Sequence, residues 1–195
     1  MDSTFVVGID VGGQTSKLGV VDARGAVLAQ TVIRTDTYSE VEPYIADLAE
    51  AVKKIIRESG TEGKVRGIGV GAPNGNYYTG TIENAPNLLW GRQRVEFAKL
   101  LSEAMDGLPV ALTNDANAAA VGEMTYGAAR GMKNFIMITL GTGVGSGIVI
   151  NGEVLYGHDG FAGELGHTSA VRNNGRTCGC GKTGCLETYA SATGV

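Results

Sequence analysis

One histidine and three cysteines lie close enough together in the sequence to bind a single metal ion. They follow the spacing His167-x10-Cys178-x-Cys180-x4-Cys185, and glycines between the cysteines let the chain fold around a small ion. Three thiolates and one imidazole form a closed tetrahedral set of the kind found in structural zinc sites. The alternative is three unliganded thiols beside a turn. Because the chain has only two histidines, finding one of them beside all three cysteines favours zinc.

Two glycine-rich segments have the composition of phosphate-binding turns. Their candidate ligand-binding residues are Asp10, Gly12, Gly13, Gln14 and Thr15 in the first segment and Gly141, Thr142 and Gly143 in the second. Glycine has no Cβ, so the backbone N–H groups of such turns can approach phosphate oxygens closely. The carboxylate of Asp10 is suited to hydrated Mg²⁺. Each segment alone is equally consistent with a hairpin turn, but their repetition together with Asp10 favours phosphate binding.

Asn114 and Asp115 lie where a predicted strand ends and a predicted helix begins. An Asn or Asp at this position commonly caps the helix. The alternative is that a carboxylate at the carboxyl edge of a sheet accepts a proton from a substrate hydroxyl. Glu164 and Glu187 flank the cysteine cluster and have the chemistry to bind polyol hydroxyls, although glutamates are also common on solvated surfaces.

The hydrophobic pattern predicts the elements that must position these residues. Strands at 5–10, 17–22 and 26–34 form a meander, and helical spacing at 41–58 predicts a long helix with Ser39 and Glu42 as its capping box. A strand at 65–71, a long loop to Gly91, a helix at 95–105 and a strand at 109–113 follow, and then a helix from Asn114 or Asp115. The order βββαβαβα is typical of the α/β class.

The segment 135–155 repeats the plan of the segment 5–28. Each contains an apolar strand, a glycine-rich turn, a second strand, a short turn and a third strand. The two copies start about 130 residues apart, which is too far for a solenoid repeat. The repeat therefore predicts two related lobes, which we place at residues 1–113 and 114–195.

Composition and charge exclude several classes of protein. The net charge is −4 with no block of like charges, which argues against a nucleic-acid partner. There is no basic leader and no apolar stretch of membrane-spanning length, and the crowded, odd set of cysteines is unlike a disulfide framework. We expect a cytoplasmic protein that binds neither nucleic acid nor membrane.

Six stretches of the sequence resemble the ROK family of sugar kinases, of the bacterial glucokinase type. They are DVGG at 10–13, APN at 85–87, NDANAAAVGE at 114–123, LGTGVGSGIVINGE at 140–153, GFAGELGHTS at 160–169 and CGCGKTGCLETYAS at 178–191. The last two are specific to this family within the actin, hexokinase and Hsp70 superfold. The resemblance implies actin-like ATPase (ribonuclease H-like) lobes with a βββαβα repeat. Because such kinases are usually longer, it also implies that the second lobe is incomplete.

The same resemblance implies an ATP-dependent kinase that phosphorylates a hexose, glucose or a close relative, at the C6 hydroxyl. Asp115 is then the general base, Asp10 serves Mg²⁺, the two glycine-rich segments hold the ATP phosphates, and Zn²⁺ has a structural role. The implied substrate-binding residues are Gly75, Asn76, Asn87, Asn114, Asp115, Glu164, His167 and Glu187. The implied partners are the hexose, ATP and a second copy of the chain in a homodimer.

One departure from the family and one alternative function bear on these expectations. Gln14 stands where the family usually has threonine, although its amide can still donate a hydrogen bond to phosphate. The alternative function is a sugar-binding regulatory or catalytically idle ROK module. Repressors of the family carry an amino-terminal helix-turn-helix, whereas the first predicted strand here begins by Phe5, so we favour the kinase.

Overall fold

The computed structural model describes residues 4–195, which fall into two compact units. The first unit ends at Asp115 and the second begins at Ala116. The assignment of these units to the lobes expected at 1–113 and 114–195 stays a prediction. Within residues 4–195, no helix combines the length and the hydropathy needed to cross a bilayer.

The first unit is built on a five-stranded sheet with two helices. Its elements are β1 (Phe5–Val11), β2 (Thr15–Asp22), β3 (Val27–Arg34), α1 (Val41–Glu58), β4 (Val65–Ala72), β5 (Gly75–Asn76), β6 (Thr81–Glu83), β7 (Arg94–Val95), α2 (Phe97–Ala104) and β8 (Val110–Asn114). The sheet order is β3-β2-β1-β4-β8. The meander β1-β2-β3 is antiparallel, whereas β4 pairs in parallel with both β1 and β8. The predicted meander and both later strands are confirmed.

The helix predicted at 41–58 is confirmed, but its predicted capping box is wrong. Glu40 is the N-cap residue and makes no side-chain cap hydrogen bond. Ser39 therefore lies one position before the cap, and Glu42 is too early in the helix to reach back to it. The predicted end is correct, since Gly60 follows the helix with φ 66° and donates its N–H to the Arg57 carbonyl.

The segment predicted as a long loop contains short strands that periodicity cannot detect. Strands β5, β6 and β7 have only two or three residues each and form a separate antiparallel sheet. Two or three residues are too few to show an alternating apolar pattern. The remainder of the segment consists of turns, including a turn at 85–91 that the Ala85 and Gly91 backbones close with a hydrogen bond of 2.7 Å.

A buried cluster of aromatic rings and hydroxyls lies where α1 covers the sheet of the first unit. Tyr44 of α1 is fully buried, stacks on Trp90 and lies near Phe97. Its hydroxyl lies 2.6 Å from the Ser16 hydroxyl, which lies 2.8 Å from that of Thr35. Each buried hydroxyl of this group thus has a hydrogen-bonding partner, which offsets the cost of removing it from water.

The second unit repeats the meander on a smaller scale. Its elements are α3 (Asp115–Tyr126, whose first residue ends the first unit), β9 (Phe135–Leu140), β10 (Val144–Ile150), β11 (Glu153–Val154), a 3₁₀ turn (Leu165–His167) and α4 (Glu187–Ala190). Strand β10 pairs in antiparallel fashion with β9 and with β11, as the repeat predicts. Helix α3 packs on β10 through small residues, because a Cβ on Gly147 would lie 2.7 Å from the Ala120 Cβ.

The buried hydroxyl of Tyr44 makes the stability of the first unit sensitive to alkaline pH. Burial raises the pKa of Tyr44 to about 12, against about 10 for an unfolded tyrosine. The folded state therefore keeps this proton at higher pH, so the contribution to stability is complete below about pH 10 and is lost as the pH rises toward 12. Between about pH 9 and pH 11, we expect the free energy of unfolding to fall by about 1 kcal/mol more in the wild type than in Tyr44→Phe.

This difference can be measured by urea unfolding followed through Trp90, the only tryptophan of the chain. Trp90 lies in the first unit and stacks on Tyr44, so its fluorescence reports this core. Parallel pH dependences for the wild type and Tyr44→Phe would contradict the assignment.

Candidate functional site

The parallel strands of the first unit bring the predicted general base and the predicted Mg²⁺-binding carboxylate to one edge of the sheet. Asp10 of β1 pairs with Gly71 of β4, which in turn pairs with Thr113 of β8. Neighbouring strands are about 4.8 Å apart, so the β1 and β8 backbones are separated by about 10 Å at this level. Asp115 follows β8 directly, and both carboxylates are exposed. Ligands of open α/β sheets bind outside the carboxyl ends of such strands.

The first glycine-rich segment is a tight turn between β1 and β2. The Gly12 N–H donates to the Thr15 carbonyl over 3.0 Å, and the Gln14 carbonyl accepts from the Thr35 N–H over 2.8 Å. A Cβ on Gly12 would lie only 2.8 Å from the Thr15 carbonyl oxygen, which explains the glycine sterically. The Gln14 side chain is exposed, so its amide is available to a ligand. Phosphate binding at this turn stays a prediction.

Asn87 lies directly against this turn. It is exposed in the turn at 85–91, and its carbonyl oxygen would be 2.8 Å from a Cβ placed on Gly13. Its own Cβ would be 3.4 Å from the same point. Only a glycine at position 13 allows the two backbones to approach this closely. The structure thus brings a residue predicted to bind sugar into contact with a turn predicted to bind phosphate.

Gly75 and Asn76 are buried in the hairpin that follows β4. A Cβ on Gly75 would lie 2.5 Å from the Thr113 carbonyl oxygen, so this residue lets the hairpin pack on β8. Asn76 is only 4% exposed, and its Oδ1 accepts the Tyr78 N–H over 3.0 Å. Gly75 therefore packs against the residue before Asn114 and Asn76 holds the hairpin turn, while their contact with substrate stays a prediction.

In the second unit, the four predicted metal ligands lie together. The ligand atoms of His167, Cys178, Cys180 and Cys185 are all within 4.8 Å of one another. The Cys180 and Cys185 sulfurs are 3.7 Å apart, and the Cys178 sulfur is 3.6 Å from His167 Nδ1. A tetrahedral zinc ion with Zn–S bonds of about 2.3 Å has sulfur–sulfur edges of about 3.8 Å. The donor set and its spacing thus fit a zinc ion.

Proton binding at two of the thiols differs with their surroundings. Burial raises the pKa of the Cys178 thiol to about 12, whereas a backbone hydrogen bond from Lys182 lowers the pKa of Cys180. A dication that binds Cys178 must therefore displace a thiol proton, as is general for cysteine ligands.

The loop that carries the cysteines is held by tight backbone contacts. The Cys178 N–H donates to the Lys182 carbonyl over 2.8 Å, and Lys182 Nζ donates to the His167 carbonyl over 3.3 Å. Gly184 adopts φ 79°, and a Cβ there would overlap the Val171 carbonyl oxygen. Gly181, with φ 88°, and Gly184 are thus needed for the geometry of the ligand loop.

Glu187 contacts both the metal-ligand cluster and the second glycine-rich turn. Its Oε1 accepts the Cys178 thiol over 3.1 Å and lies 3.6 Å from His167 Nδ1. Its Oε2 lies 2.8 Å from the place that a Cβ on Gly143 would occupy. The Gly141 N–H donates to the Gly143 carbonyl over 3.0 Å, which closes this turn. Glu187 therefore joins two groups of residues that the sequence predicted separately.

Glu164 precedes the 3₁₀ turn that packs on β10, and His167 is the last residue of that turn. The Leu165 N–H donates to the Ser146 hydroxyl over 3.2 Å, and the same hydroxyl donates to the Gly163 carbonyl. A Cβ on Gly166 would overlap the Val144 carbonyl oxygen, so the turn requires glycine to lie this close to the strand. Glu164 is exposed and His167 is half-buried beside the cysteines.

Comparison with known proteins identifies the family. The sequence model of the ROK family matches residues 6–195. The chain belongs to the ROK family. It is 43% identical to a glucokinase from Halalkalibacterium halodurans, over 100% of this chain and 59% of that protein. It is also 32% identical to a xylose repressor from Caldicellulosiruptor bescii, over 97% of this chain and 47% of that protein.

A solved ROK structure confirms the fold class. The chain is similar to a ROK family glucokinase from Streptomyces griseus in complex with glucose and AMPPNP, with a TM-score of 0.82 and 36% identity. The similarity covers 97% of this chain and 58% of that chain. The predicted α/β, actin-like architecture is therefore correct. This ROK chain spans less than two thirds of the length of these relatives.

Three buried residues of this ROK chain support the candidate site without having been predicted to do so. Ser16, Thr35 and Tyr44 link the first glycine-rich turn to the core. Tyr44 is visible in the sequence only as one apolar position of a helix. A hydroxyl within the apolar face of a helix is the one signal that could have indicated a buried polar partner.

We expect this ROK protein to hold one zinc ion per chain when it is purified without chelator. Elemental analysis of the wild type measures the content directly, and His167→Ala should lower it severalfold because one of four ligands is removed. His158→Ala is the matched control, since His158 is the other histidine of the chain and is exposed. A wild type without zinc, or an equal loss of zinc in both variants, would contradict the prediction.

Proposed function

We propose that the protein is an ATP-dependent sugar kinase that phosphorylates glucose or a close relative, with the C6 hydroxyl as acceptor. The observation that carries this proposal is the contact between Asn87 and Gly13 in the first unit. Phosphoryl transfer needs an acceptor hydroxyl and a phosphate held in line, and it needs little covalent help from the protein. Asn87, proposed to bind the sugar, lies with its backbone carbonyl and Cβ against the turn proposed to bind phosphate, and this contact would supply the proximity. Membership of the ROK family and the glucokinase relatives support the same assignment.

In this proposal Asp115 is the general base. Its exposed carboxylate follows β8 at the carboxyl edge of the sheet, where it can accept the proton of the acceptor hydroxyl. Asn87 and Asn114 orient the sugar through their side-chain amides. Asp10, at the same edge, is the residue that would hold Mg²⁺. Bound Mg²⁺ supplies charge neutralisation on the phosphates.

The two glycine-rich turns are proposed to bind phosphate. Gly12 to Thr15 would bind ATP phosphates through N–H groups in the first unit, and Gly141 to Gly143 would do so in the second. N–H dipoles that are already oriented toward the phosphates would stabilise the transition state, in which negative charge spreads over the transferred group.

Glu164, His167 and Glu187 of the second unit are proposed to bind further sugar hydroxyls. An epimer does not present its hydroxyl at the position of such a carboxylate, which would then lack a hydrogen-bond donor. These residues would therefore give specificity. Zinc would act indirectly, since its ligands Cys178 and His167 lie 3.1 Å and 3.6 Å from the Glu187 carboxylate, and binding them to one ion would fix the loop beside that carboxylate. A homodimer is part of the same proposal and can be checked by light scattering.

A regulatory function is the second candidate, and the similarity to a xylose repressor is the observation in its favour. A regulatory or idle ROK module would bind sugar without turning it over. A coupled assay with ATP, Mg²⁺ and a panel of hexoses, run beside sugar-binding calorimetry, separates the two. Binding without ADP formation would identify the regulatory function.

Asp115→Asn tests the proposed base. We expect kcat to fall by about 10²- to 10⁴-fold, the usual contribution of a general base, while sugar affinity changes little because the amide keeps the shape of the side chain. Asp106→Asn is the matched control, as an exposed aspartate in the turn after α2. A kcat of Asp115→Asn near that of the control would refute the role.

Gly13→Ala tests the contact between the first glycine-rich turn and Asn87. The added Cβ would lie 2.8 Å from the Asn87 carbonyl oxygen, so one of the two turns must move. We expect kcat/KM for the sugar to fall about tenfold or more, since small displacements at a reacting centre are costly. Gly8→Ala, in the middle of β1, places its Cβ with nothing within 4 Å and should leave kcat/KM unchanged. Equal values for the two variants would contradict the proposal.

A further inference from the structure

Tyr44 contacts the supports of both the first glycine-rich turn and Asn87. We infer that Tyr44 is a positioning residue, which fixes the glycine-rich turn and the turn that carries Asn87 at the separation needed for phosphoryl transfer. The part of this inference that concerns transfer rests on the proposed function. The positional part rests on contacts within the first unit alone.

The first set of contacts is polar and leads to the glycine-rich turn. The Tyr44 hydroxyl lies 2.6 Å from the hydroxyl of Ser16, two residues after Gln14, at the start of β2. The Ser16 hydroxyl lies 2.8 Å from that of Thr35, and the Thr35 N–H donates over 2.8 Å to the Gln14 carbonyl. Ser16, Thr35 and Tyr44 are each no more than 1% exposed. Water therefore cannot substitute easily for a lost hydroxyl.

The second set of contacts is aromatic and leads to Asn87. The Tyr44 ring stacks on Trp90 with centroids 5.1 Å apart and planes 25° apart, and Trp90 stacks in turn on Phe97. Trp90 is 6% exposed and lies in the turn at 85–91, three residues after Asn87. Hydrogen bonds from the Ala85 and Gly91 N–H groups close that turn. A rigid ring at one end of a closed turn fixes the other end.

The two sets of contacts meet again where Gly13 touches Asn87. The Gly13 and Asn87 backbones are so close that no Cβ fits between them. The path from Gly13 through Ser16, Tyr44 and Trp90 to Asn87 is therefore a closed ring of contacts. In a closed ring, loosening the hydroxyl contact at Tyr44 releases both turns, because each is held partly by the other.

Tyr44→Phe and Tyr38→Phe form a matched pair that tests the inference. Both variants lose one phenolic hydroxyl from the same aromatic group, since the Tyr38 and Tyr44 rings are 5.5 Å apart. The Tyr38 hydroxyl, however, donates to Asp47 at the surface and contacts neither turn. The readout is amide hydrogen exchange at Thr35, in the polar contacts, and at Ala85 and Gly91, in the turn of Asn87.

We expect Tyr44→Phe to speed exchange about tenfold at all three amides, while Tyr38→Phe leaves them within about twofold of the wild type. In the steady-state kinetics, we expect Tyr44→Phe to lower kcat about tenfold or more with KM for the sugar nearly unchanged, because misplacement of bound groups slows the chemical step. Both measurements are made well below the unfolding temperature, so a general loss of stability does not move kcat.

The possible outcomes are distinct. Unchanged exchange in Tyr44→Phe overturns the inference, whatever the kinetics show. Faster exchange with an unchanged kcat overturns its catalytic part. If the wild type phosphorylates no sugar of the panel but Tyr44→Phe still speeds exchange in both turns, the proposed function fails and the positional link is supported.

Discussion

Close approach of one backbone to another is the constraint on which both candidate sites depend. Gly13 meets the Asn87 carbonyl, Gly75 meets the Thr113 carbonyl and Gly166 meets the Val144 carbonyl, each at a distance that leaves no room for a Cβ. Chemistry on phosphates and polyols needs many N–H and C=O groups near one ligand, and glycine makes that density possible. Part of the high glycine content of the chain, 31 of 195 residues, therefore reflects packing at these sites.

The two units hold their functional groups by different means. In the first unit, the buried rings of Tyr44 and Trp90 and the paired hydroxyls of Ser16, Thr35 and Tyr44 fix the glycine-rich turn and the turn of Asn87. The second unit has few large buried side chains near its candidate site, and there Glu187 contacts both the Cys/His cluster and the turn at Gly143. Binding of the proposed zinc ion would add to stability here, because short loops cannot bury much apolar surface.

Prediction from sequence worked where a pattern is local. Helix α1, the meander β1-β2-β3 and its repeat in β9-β10-β11 follow from apolar periodicity and turn residues, and each is confirmed. The clustering of His167 with the three cysteines was predictable because their spacing is short. Strands β5 to β7 were not, since two or three residues carry no period, and the capping box failed because the position of a helix start depends on one residue.

By itself, the sequence determined the family, the class of fold and the residue types available for chemistry, because these depend on composition and on spacing along the chain. Tertiary structure alone decided which of those residues meet. That Asn87 touches Gly13, that Tyr44 joins Ser16 to Trp90 and that Glu187 lies between Cys178 and Gly143 depend on strands and turns far apart in sequence. Contacts of this kind arise from packing and from the loss of water around buried groups, and neither is encoded in any local pattern.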